Sequence, residues 1–177
     1  LTAALEDDAG AASPPVAIDV AEIGGMYAKS IRLIGTEAGV GVRNAGHIGA
    51  SAGQLVVTAD GRLENTGNLV ASGNVVIETA SALQNSGQVL ALQNVAVKAA
   101  TTADNTGGRI AAAQHATVRS QDLINLGGTI EAGDTLEIDA EHIANSGLID
   151  ARALRLDAVT LENHGNGRIF GDKLAID

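Results

Sequence analysis

The chain has 177 residues, a net charge of −10 and no cysteine. The acidic balance disfavours nucleic acid, heparin-like polymers and anionic membranes as partners, since these need a basic surface. The lack of Cys excludes disulfide staples, thiolate zinc sites and Cys nucleophiles.

Residues 1–15 show no periodicity. Glu6, Asp7 and Asp8 lie in an Ala-rich stretch that ends Ser13-Pro14-Pro15, which predicts a flexible arm or linker. This opening lacks the shape of a signal peptide, and no apolar run approaches transmembrane length, so no membrane insertion is expected. The chain starts at Leu1 and reads as a piece of a longer polypeptide. Residues 16–177 read as a single β-helix segment. Alternation begins with Val16, Ile18 and Val20, a strand signature. Gly24-Gly25-Met26-Tyr27-Ala28 imitates later turns, and Ile31 and Leu33 follow as an apolar pair. Residues 16–43 are therefore expected to form an irregular coil ahead of regular coils over 44–177.

From Asn44 a turn of the form Asn-x-Gly recurs. It reads Asn65-Thr-Gly-Asn-Leu69, then Asn85-Ser-Gly-Gln-Val89, and further copies start at Asn105, Asn125, Asn145 and Asn163. The Asn-to-Asn steps from Asn44 are 21, 20, 20, 20, 20 and 18 residues. A fixed period of this size marks a stacked repeat. Each repeat carries three apolar signals. One apolar residue follows the turn, as at Ile48, Leu69, Val89 and Ile110, with a small residue two positions on. An i, i+2 pair comes next, as in Leu55/Val57 and Val75/Ile77. A single apolar residue then stands two positions before the next Asn, as at Leu63 and Leu83. The i, i+2 spacing places both members of a pair on one face of a strand. A helix would not bury these sets on one side.

Three short strands in about 20 residues predict an all-β fold, a parallel β-helix with equivalent side chains stacked in interior ladders. Coils about 4.8 Å apart give a rod of roughly 35 Å. By the chirality of parallel crossovers it is expected to be right-handed. Asn tolerates positive φ and can bond nearby backbone. Alternatively each Asn bonds the equivalent turn one coil away, satisfying groups that no strand pairs. Asn44, Asn65, Asn85, Asn105, Asn125, Asn145 and Asn163 are thus read as a structural turn ladder. The Gly two residues after each marks a position where a Cβ would clash.

These residues resemble the filamentous haemagglutinin family of bacterial exoproteins, which includes contact-dependent inhibition toxins. The resemblance rests on the degenerate repeat, such as Leu63-Glu-Asn-Thr-Gly-Asn-Leu-Val-Ala71, and on the leader from Ile23 to Gly46. It implies a right-handed β-helical shaft of a large adhesin, exported by two-partner secretion through an outer-membrane partner. It also implies display at the bacterial surface or release, and attachment to a host-cell glycan or receptor. An elongated monomer is expected.

Other readings remain open from the residues themselves. A dedicated carbohydrate- or receptor-binding module would sit where the repeat fails, with Met26 and Tyr27 as its candidate surface. A polysaccharide-cleaving β-helical enzyme would need clustered carboxylates on an outer face. Asp139, Asp157 and Asp177 occupy successive coils and are the candidates to share a Ca²⁺, against a solvated acidic face. No nucleophile elbow, P-loop or dinucleotide fingerprint occurs. The four His residues show no metal-ligand spacing and no evident carboxylate partner. No enzyme activity, cofactor or metal is expected of this segment. Tyr27 and Phe170 are the only aromatic platforms, which disfavours sugar stacking.

Overall fold

The computed structural model describes residues 16–21 and 24–177. The predicted arm over 1–15 and the leader residue Ile23 lie outside the described residues. The described chain is all strand and turn, with no helix, and winds through about eight parallel turns of about 20 residues. Among the described residues no helix is long and apolar enough to cross a membrane.

One coil shows the construction. Its three sides are Asn68–Ala71, Val75–Thr79 and Leu83–Asn85. Each pairs in parallel with its equivalent one coil on, so that Leu69 faces Val89, Ile77 faces Val97 and Leu83 faces Ala103. Alternation turns every second side chain inward. Leu69, Val75, Ile77 and Leu83 are all essentially sealed from solvent. A single core of Ile, Leu, Val and Ala therefore runs the length of the stack. It contains no aromatic ring, and branched aliphatics with Ala at the bends suit so narrow an interior.

The leader follows the same plan. Gly25–Ala28 pairs with His47–Ala50, and Ile31–Gly35 with Leu55–Ala59. Val16–Val20 lies beside Gly41–Asn44, which puts Val20 in register with Asn44. At the far end Leu174 and Ile176 keep the inward register but are about half exposed, with no described coil stacked beyond them.

Two expectations need correction. Three short strands per coil hold only as far as Asp104. Beyond it the sides fuse into His115–Asn125, Thr129–Asn145 and Leu148–Asn163, of 11, 17 and 16 residues. Shortened corners account for this. Arg119 and Asp122 stand opposite Lys98 and Thr102, so one corner residue is lost there. The 18-residue step loses two more, one at the Asn turn and one where Ala151 to Ala153 replaces Ala132 to Thr135. Tighter corners let backbone pairing carry through the bend.

The Asn-x-Gly glycines also form two classes where one was expected. A Cβ on Gly87 would run into the carbonyl oxygen of Gly67 in the preceding coil. Gly107 instead has φ of +67° and open space around it. In that coil the close approach passes to Gly108, the extra residue of a longer turn. Gly107→Ala should therefore cost only the left-handed backbone penalty, about 1–2 kcal/mol. Gly87→Ala should cost more in chemical denaturation, because Gly67 O cannot retreat without losing the 2.8 Å bond from Gln88 N.

Candidate functional site

The seven turn asparagines come together as one column. Each ends a strand, apart from Asn105, which directly follows Thr102–Asp104, and its side chain points along the axis toward the next. Asn44 Nδ2 donates to Asn65 Oδ1 at 2.7 Å, and the same bond repeats through Asn85, Asn105, Asn125 and Asn145 to Asn163 at 2.7–2.8 Å. The second amide proton goes to turn carbonyls, as from Asn105 to Thr129 O at 3.1 Å. Six of the seven are buried, and Asn163 is exposed. None has positive φ. The left-handed backbone account of these residues is thus overturned, and the coil-to-coil account holds. Asn is required because one amide both donates and accepts, so an unbroken chain satisfies itself in a dry interior. Its groups are neutral and already engaged, so the column offers no acid, base or nucleophile.

A second, shorter amide ladder escaped the sequence reading. Asn94 Nδ2 and N both donate to Asn74 Oδ1, at 3.0 and 3.2 Å, and Asn94 Oδ1 accepts from His115 N at 3.2 Å. Its signal was available as the residue preceding each strand pair, Gln54, Asn74, Asn94 and His115. Thr79 was missed as well. It is buried in a register held by Ala59 and Ala99, and its hydroxyl donates to Gly61 O.

Met26 and Tyr27 do not form one surface. Met26 is opposite Ile48 and packs on the core. Tyr27 points out and is 74% exposed. Its ring lies over two glycines, and a Cβ on Gly25 or Gly49 would come within 2.8 or 3.0 Å of it. The outward column through Tyr27 continues as Gly49, Val70, Leu90 and Ala111, then turns acidic at Glu131 and Asp150.

The acidic column is laced with arginine. Arg119 Nε is 3.8 Å from Asp139, and Arg155 bridges Asp157 at 3.1 Å and Asp177 at 3.2 Å. Arg152 pairs with Asp134, and Arg109 with Glu131. All of these side chains are at least a third exposed apart from Glu131, so the pairs are screened and add little stability. Among the described residues no group of three or more His, Asp or Glu could hold a metal ion. One histidine does have a carboxylate beside it, contrary to the sequence reading: His164 Nε2 lies 3.0 Å from Glu162, and both are exposed.

A closed ladder interior, a buried amide spine and an ion-paired exterior define a β-solenoid. The model of the haemagglutinin repeat matches residues 8–107 and 91–167, and the chain belongs to that family. Over 56 residues, 32% of its length, it is 70% identical to "Toxin CdiA" of Yersinia pestis. Over 60 residues, 34% of its length, it is 50% identical to "tRNA nuclease CdiA-2" of Burkholderia pseudomallei. The matched stretch is 2% of the length of each of these relatives. No solved structure matches.

Proposed function

We propose that this segment is a rigid, adhesive shaft of a much larger exported bacterial surface protein, and that it acts mechanically rather than catalytically. The observation that carries this reading is the unbroken Asn column, which ties every coil from Asn44 to Asn163 to the next. Such a stack resists bending, and its length scales with coil number. The family and the toxin relatives support a parent that is exported, displayed at the cell surface or released, and carries its distinctive activity elsewhere. Attachment to host-cell glycans or receptors would then come from weak multivalent contacts along the shaft, or from modules that the shaft projects.

The test is removal of one whole coil, residues 86–105, from the full exoprotein. A shaft should restack in register from Asn85 to Thr106, keep its thermal stability, and leave export and cell attachment intact. Loss of attachment with the fold preserved would show a dedicated binding module in this segment instead.

The outward column of Tyr27, Val70 and the half-buried Leu90 favours that second reading, because it lines up apolar side chains on one face of the stack. Under it, Tyr27→Ala should abolish binding of the isolated segment to a glycan array or to host cells. Under the shaft reading it changes nothing measurable.

A further inference from the structure

The asparagines of the two ladders all have hydrogen-bonded side chains, and one asparagine outside them does not. Asn166 is exposed, is followed by Gly167, and its side chain makes no hydrogen bond among the described residues. Every other Asn in the chain is followed by a residue bearing a Cβ. At five of the seven ladder positions the nitrogen that follows the amide is also committed between coils, as in Thr66 N to Asn44 O at 2.8 Å and Ser146 N to Asn125 O at 3.1 Å, while Thr106 N bonds Asp104 Oδ1 within its own turn at 2.9 Å. Freeing those five would require unstacking. Gly167 N is held only within its own surface turn, by His164 O at 2.8 Å. A single exposed turn opens far more readily than a stacked coil.

We propose that Asn166-Gly167 is a site of spontaneous deamidation and isoaspartate formation, which loosens the strand Arg168–Ile176. In the opened turn Gly167 N loses its proton to solvent base and attacks Asn166 Cγ. A new N–Cγ bond forms, the Cγ–Nδ2 bond breaks, and ammonia leaves after taking a proton from water. Without a Cβ, Gly167 offers no steric obstacle to the ring-closing conformation. Water then opens the cyclic imide at either carbonyl. Opening at Cγ yields aspartate. Opening at the α-carbonyl yields isoaspartate, whose main chain runs through Cβ and Cγ. The net change is one water consumed and one ammonia released.

The added methylene falls at a sensitive point. Asn163, the last rung of the ladder, donates from Nδ2 to Gly167 O at 2.9 Å, and Arg168 N donates to Gly147 O at 2.8 Å. A longer main chain between residues 166 and 167 displaces both acceptor and donor. The register of Arg168 opposite Leu148 is then lost.

The experiment is peptide mapping of the intact chain after incubation at mildly alkaline pH, with fragmentation that separates aspartate from isoaspartate, followed by hydrogen exchange of the aged protein. Deamidation at Asn166 should exceed that at Asn145 by at least an order of magnitude, and Asn166→Gln should abolish it. Exchange over Arg168–Ile176 should rise several-fold in the isoaspartyl form and stay unchanged in freshly made Asn166→Asp, which adds the charge without the methylene. Equal rates at Asn166 and Asn145 would overturn the site. Unchanged exchange in the isoaspartyl form would overturn its structural effect.

Discussion

Asn105→Ala is expected to destabilise the rod by about 2–4 kcal/mol, since each buried group left without a partner costs about 1–3 kcal/mol. Asn105 sits mid-ladder. It accepts from Asn85 at 2.7 Å and donates to Asn125 at 2.8 Å and to Thr129 O at 3.1 Å. Alanine strands Asn125 Oδ1 in a dry interior and removes a donor from two turns at once. Asn105→Asp is expected to be no better, because its oxygens would face the Asn125 acceptor. Asn163→Ala is the control. That side chain is exposed at the end of the column, so water replaces what it supplied, and the loss should stay below about 1 kcal/mol. Urea denaturation of the three variants beside the parent checks the order. Equal losses at Asn105 and Asn163 would refute a ladder that works by burial.

Ile110→Asp is expected to have a larger effect still, about 4 kcal/mol or more, because a buried unpaired charge is among the costliest single changes. Ile110 lies between Val89 and Ile130 in the interior and is essentially sealed. The damage should not stay in one coil. Each coil is held chiefly by its neighbours, so loss of one removes support from both sides. Glu78→Lys provides the contrast, since Glu78 points outward beside Lys98 and should be almost silent. Circular dichroism melts of the pair would decide. A silent Ile110→Asp would overturn the inward assignment of the first strand.

Much of this was legible without coordinates because the interior repeats. Ile48, Leu69, Val89 and Ile110 recur at one register, and a strand alternates faces with a period of two, so position alone placed them inside. The Asn column was legible in the same way, though its mechanism was not. Its side chains bond one another along the axis, which depends on the coil spacing matching one amide-to-amide step. The pairing of Met26 with Tyr27 as a surface failed for a simple reason. Adjacent residues on a strand face opposite ways, so Met26 packs inward while Tyr27 stands out over Gly25 and Gly49. Candidate chemistry at Asp139, Asp157 and Asp177 was a correct alignment. Arg155 stands beside Asp157 already in the sequence, and its reach to Asp177 on the next coil appears only once the strands are stacked.

The sequence by itself determined the period, the inward set and the class of fold, because a 20-residue repeat with i, i+2 apolar pairs has only a stacked-strand solution. Only the tertiary structure decided the details that depend on contact between coils. These are the side-chain bonding of the Asn spine, the second ladder at Asn74 and Asn94, the two uses of glycine at Gly87 and Gly107, and the fusion of strands after Asp104. Each turns on distances between residues about 20 apart in the chain, and the repeat brings them together without specifying which atoms meet.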